Sequence, residues 1–124
     1  KPALCYLLRF TEGRFPMPVY NKLVRDLIPQ IIEKSGSKFT TRTLHSSEYL
    51  TEIKKKLEEE VQEYQETTNA QDALEELADI LELIHTALSI HDATFEELEN
   101  IRIAKKEKRG GFEEGIYLIE VEEE

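Results

Sequence analysis

Two pairs of carboxylates, Glu60 with Glu63 and Glu76 with Asp79, are each spaced three residues apart. On a helix that separation brings side chains onto neighbouring turns of one face. Both pairs fall in the stretch Leu57 to Ile80, LEEEVQEYQETTNAQDALEELADI, within the signatures Glu59-Glu60-Val61-Gln62-Glu63 and Glu76-Leu77-Ala78-Asp79. Hard divalent cations prefer carboxylate oxygens, so two such pairs brought together are expected to hold one. Magnesium is the first expectation and manganese the second. An anionic substrate drawn to that metal needs cationic side chains opposite it, and Lys105, Lys108 and Arg109 are the candidates. Lys106, in the same run, is accounted for as a complement to a helix C-terminal dipole.

Helical periodicity decides which carboxylates intrude on the interior. In the segment from Ser46 to Thr67, Leu50, Ile53, Leu57, Val61 and Tyr64 recur at spacings of three and four, an amphipathic helix pattern. At about 100° per residue, Glu60 lies roughly 60° from Leu57 and Glu63 roughly 120° away on the same side, while Glu59 points almost opposite. Glu60 is therefore expected at the core boundary, with Glu58 and Glu59 solvated. In the next helix, expected over 71 to 91, Leu74, Leu77, Leu81, Ile84 and Leu88 make an apolar band that Ala73, Ile80, Leu83 and Ala87 widen on one side. Glu76 falls inside the widened part, where a carboxylate needs a compensating partner. A helix apolar around so much of its circumference is expected to sit among several neighbours, another subunit included.

The remaining elements follow from local signals. Pro29 suits a first helical turn and Gly36 a C-terminal cap, which predicts a short helix over 28 to 35. Ser46 or Ser47 is the expected N-cap of the first long helix, Asn69 with Asp72 that of the second, and Thr94 with Glu97 forms a capping box for a third. That third helix ends in Lys105-Lys106-Glu107-Lys108-Arg109 before Gly110-Gly111. Lys38 to Leu44 (KFTTRTL) and Gly115 to Glu122 (GIYLIEVE) carry strand composition and are expected to pair as a small antiparallel sheet.

With 124 residues, 40% of them hydrophobic, the chain is expected to form one domain with a modest core. Twenty-six acidic residues against 16 basic ones, a net charge of -10, argue against a general nucleic-acid surface. Cys5 is the only cysteine, which removes an internal disulfide framework and points to a reducing, cytoplasmic setting. The longest apolar run, Ala3 to Leu8, is far short of the ~20 residues a spanning helix needs. Residues 1–16 precede the only methionine, Met17, and are expected to be a leader or extension outside a domain at 17–124. His45, His85 and His91 have no zinc-ligand spacing, and no serine-nucleophile or phosphate-loop motif occurs.

EEVQE at 59–63 followed by ELAD at 76–79 resembles the EExxE and ExxD motifs of the MazG-like nucleoside triphosphate pyrophosphohydrolase superfamily. The opening YNKLVRDLIPQII at 20–32 and the closing KKEKRGGFEEGIYLIEVE at 105–122 look like its compact phosphoribosyl-ATP pyrophosphohydrolase-like subgroup, so the resemblance covers about 18–122. It implies a MazG-like helical bundle, a helix hairpin plus a third long helix, to which this chain adds the small β element. It further implies magnesium on Glu60, Glu63, Glu76 and Asp79, and hydrolysis of a nucleotide between its α and β phosphates. Phosphate contacts would fall to Lys105, Lys108 and Arg109, with Lys22 and Arg25 of the opening motif as further substrate contacts. Homodimers or higher homo-oligomers are the expected assembly. Two alternatives stand beside this reading: the phosphoribosyl-ATP reaction of histidine biosynthesis, and a non-enzymatic helical binding or scaffold module.

Overall fold

The computed structural model describes residues 18–123 and is mainly α-helical. Among the described residues the elements are α1 (Ile28–Lys34), α2 (Ser46–Gln65), α3 (Ala70–Ile90) and α4 (Phe95–Arg109). The expectation for residues 1–16 lies outside the described residues. None of the described helices is long and apolar enough to cross a membrane. The chain divides into two compact units, one ending at Ala87 and the other beginning at Leu88.

Local chemistry sets the helix ends. Pro29 occupies the first turn of α1, and Gly36 follows it with φ +89°, a left-handed conformation from which its N–H donates to the Glu33 carbonyl at 3.0 Å. At α3, the side-chain oxygen of Asn69 accepts from the Asp72 backbone N–H at 2.9 Å, and its amide donates back to the Asp72 carboxylate at 3.0 Å. The capping box of α4 is complete: Thr94 Oγ1 accepts from the Glu97 N–H at 3.1 Å, and Glu97 Oε1 accepts from the Thr94 N–H at 2.8 Å. The expected Ser cap of α2 is not formed. His45 stands at the N-cap without a side-chain hydrogen bond, and Ser46 is already the first helical residue, at φ +57°.

In the first unit, Ile28 and Ile32 of α1 are buried with Tyr20, Val24 and Ile31 packed against them, so the chain before α1 is tied to that helix by apolar contact. Ile53 on α2 is 1% exposed. The orientation of α3 departs from expectation. Its widened side, Ala73, Glu76, Ile80 and Leu83, is buried or half-buried, whereas Leu74, Leu77 and Leu81 are 61%, 44% and 46% exposed. The helix thus turns a carboxylate inward and a leucine row outward.

The expected β element is not present. Among the described residues neither 38–44 nor 115–122 is a strand. Strand composition supplies only a propensity; an isolated two-stranded pair is marginal, and a strand persists where a partner and an apolar surface receive it. Ile116, Tyr117, Leu118, Ile119 and Val121 are all exposed, so alternate residues do not select a buried face.

Candidate functional site

The site is built from the facing sides of α2 and α3. In an antiparallel pair, residues equally far from the turn come opposite one another, and Glu60 before the break and Glu76 after it are placed in that way. Both are buried, at 3% and 4% exposure. Glu60, Glu76 and Asp79 each offer a carboxylate oxygen, all within 4.8 Å of one another. Glu59, Glu60 and Glu63 form a second such group, sharing Glu60 with the first. The structure therefore brings together all four carboxylates expected from the sequence and adds Glu59.

Three cations enter this cluster. Lys22 Nζ lies 2.9 Å from Glu59 Oε2, and Lys56 Nζ donates to Glu59 Oε1 at 2.6 Å while standing 3.6 Å from Glu60 Oε2. Arg25 Nη2 donates to Asp79 Oδ1. Lys22 and Arg25, expected as substrate contacts, are thus placed on the acidic motifs themselves, one on each. Glu59 departs from its expected solvated position: it is half-buried, covered from one side by Lys22 and from its own helix by Lys56. Lys56 was not legible as a site residue from charge runs, since it sits in Lys54-Lys55-Lys56. The available signal is its spacing, three residues before Glu59 and four before Glu60, which stacks all three side chains along one face.

Electrostatics follow from burial and crowding. Burial, a hydrogen bond with the Glu76 carboxyl and the charge of Glu63 push Glu60 up to about 7, against a smaller pull from Lys56. Burial and the charges of Glu76 and Glu59 likewise push Glu63 up. For Glu59, burial acts upward but the hydrogen bonds from Lys56 and Lys22 outweigh it and hold the carboxyl below the usual range. Glu60 Oε1 is buried without a hydrogen-bond partner. A buried carboxylate oxygen of that kind is costly, and a cation among Glu60, Glu76 and Asp79 removes the cost. The all-oxygen donor set fits magnesium or manganese.

Lys105, Lys108 and Arg109 lie in the second unit, exposed near the C-terminal end of α4, where Lys108 and Arg109, in the last turn with Lys106, also complement that helix's dipole. Arg102 of α4 pairs with Glu99 on the preceding turn, Nε donating to Oε1 at 2.9 Å. No family model matches the chain, and no match emerges from the curated proteins or the solved structures.

Proposed function

We propose that the chain is a magnesium-dependent nucleotide pyrophosphohydrolase of the MazG-like type, hydrolysing a nucleoside triphosphate or related nucleotide between the α and β phosphates. The observation that carries this reading is Glu60, a nearly fully buried carboxylate with one oxygen unpartnered, crowded by Glu63, Glu76 and Asp79. Such an arrangement is unfavourable in itself and becomes favourable around a divalent cation. When bound, the metal supplies charge neutralisation and polarisation at phosphoryl oxygens.

The chain's own residues do the rest. Glu60, Glu63, Glu76 and Asp79 hold the cation from two rigid helices, which fixes its position. Lys105, Lys108 and Arg109 supply cationic donors for phosphate. Water adds to a phosphorus of the α–β bridge, the bridging oxygen leaves with the other phosphoryl group, and the water gives up a proton. The products are a nucleoside monophosphate and pyrophosphate, with no covalent enzyme intermediate. A housecleaning role on the nucleotide pool fits this chemistry.

The test is a panel of standard and oxidised nucleoside triphosphates, with phosphoribosyl-ATP included, incubated with the protein and magnesium. Pyrophosphate release is expected, with loss of activity in Glu76→Gln. Orthophosphate as the only phosphate product rules the reaction out, and a strict preference for phosphoribosyl-ATP selects the histidine-pathway alternative.

A second reading, a helical binding module, is favoured by the outward leucine row Leu74, Leu77 and Leu81. It is selected if nucleotide with magnesium leaves the melting temperature unchanged, since a specific ligand stabilises by mass action. Under the enzymatic reading the same row serves self-association into a homodimer or higher homo-oligomer.

A further inference from the structure

The two overlapping carboxylate groups, Glu59-Glu60-Glu63 and Glu60-Glu76-Asp79, share Glu60. Carboxylates bridging two groups in this way are the ligand pattern of binuclear centres, whose ions lie about 4 Å apart. The two groups are nevertheless unequal, because protein cations already occupy one of them.

Both oxygens of Glu59 are taken. Oε1 accepts from Lys56 at 2.6 Å, and Oε2 lies 2.9 Å from Lys22. Lys56 also reaches Glu60, 3.6 Å from Oε2, so its ammonium sits between two members of the same group. The Lys56 side chain is only 12% exposed. An ammonium at that depth is stable because carboxylates surround it, and leaving them for water requires moving the whole buried stem. Its position comes from α2 alone, by the three- and four-residue spacing to Glu59 and Glu60. In the other group the arrangement differs: Glu60 Oε1, the oxygen turned away from Lys56, is buried without a hydrogen-bond partner, and Arg25, on Asp79, is 60% exposed.

We propose that Lys56, assisted by Lys22, occupies the second cation position of this cluster, so that each chain takes one divalent ion, at Glu60, Glu76 and Asp79 with Glu63 beside Glu76 completing the set, and Glu59 is withheld from metal coordination. Lys56 is then a positioning residue, which orients Glu59 and one oxygen of Glu60 and sets the metal stoichiometry. The inference rests on the metal-dependent reading given above and goes beyond it in specifying how many ions bind and why.

The test uses Mn2+ alone as the probe, titrated into the full metal-stripped chain by calorimetry and followed by electron paramagnetic resonance. Wild type is expected to bind one Mn2+ per chain with the signal of an isolated ion. Lys56→Met keeps the buried stem and removes the charge; it is expected to bind two, with the spin-coupled signal of ions about 4 Å apart. Lys56→Arg restores a cation and is expected to return the count to one. Lys22→Gln, at a more exposed position that does not threaten folding, is expected to admit a second, weaker Mn2+. Two coupled ions in wild type, or one ion of unchanged affinity in both Lys56→Met and Lys22→Gln, overturn the proposal while leaving metal dependence standing. No Mn2+ bound to wild type overturns both.

Discussion

The guanidinium of Arg25 donates to Oδ1 of Asp79 across 54 positions of sequence. Three residues earlier, Lys22 meets Glu59, so one short segment ahead of α1 contacts both acidic motifs. Tyr20 and Val24, packed on Ile28 and Ile32, anchor that segment, and the polar contacts are thereby held by apolar ones. Because the Arg25 side chain is 60% exposed, its ion pair contributes little to stability, below about 1 kcal/mol. Arg25→Gln is expected to leave the melting temperature nearly unchanged while binding Mn2+ about two- to tenfold more tightly, since a positive charge next to the cation is removed. Calorimetric titration of the two proteins measures this. Weaker binding in the variant excludes a purely electrostatic role for Arg25.

Stability of the metal-free protein depends on pH through Glu60 and Glu63. Their carboxyls are raised when folded, Glu60 to about 7, and return to roughly 4.3 when unfolded. Between those values the folded state holds more protons than the unfolded one. The associated stability is therefore present below about pH 4 and lost as pH rises through about 7. In chelator, the melting temperature is expected to fall from about pH 5 to about pH 8. Saturating magnesium is expected to flatten this dependence, because the ion takes the place of the proton. Differential scanning fluorimetry across a buffer series reads both.

Glu76→Gln removes one charge from the proposed metal-binding set and preserves side-chain volume. Pyrophosphate release is expected to drop by about a hundredfold or more, the scale of losing one electrostatic stabiliser in a preorganised site. The metal-free variant is expected to melt no lower than wild type, because like charges facing one another across α2 and α3 are reduced in number. Activity that survives within a factor of about three excludes Glu76 from the metal set.

The leucine row of α3 predicts self-association. Leu74, Leu77 and Leu81 are exposed on one helix face, a contiguous apolar stripe of the kind that isologous interfaces cover. Analytical ultracentrifugation of wild type is expected to show a dimer or larger assembly, and Leu77→Glu is expected to shift it toward monomer. A wild-type monomer throughout the micromolar range removes the row from the interface.

The helices and most of their ends were legible in the sequence because local interactions decide them. Three- and four-residue spacing gave α2 and α3, and side chains a few positions apart gave the Asn69–Asp72 and Thr94–Glu97 caps. The same periodicity singled out Glu60 and Glu76 as carboxylates on inward faces, and both are buried. Residues 38–44 and 115–122 show the limit of local information, since strand propensity without a receiving partner produces no strand.

The tertiary structure alone decided which broad face of α3 turns inward. Periodicity gave that helix an apolar band wide enough for either choice, and packing against α2 placed Ala73, Glu76 and Ile80 inside and the leucine row outside. It also decided the partners of Glu59 and Asp79. Taken along α2 alone, Glu59 points away from Leu57 toward solvent; folded, it is covered because Lys22 arrives from the chain before α1. A helical pattern specifies direction around one axis. Which side chain waits in that direction depends on how distant segments cross, and this cluster is made by such crossings.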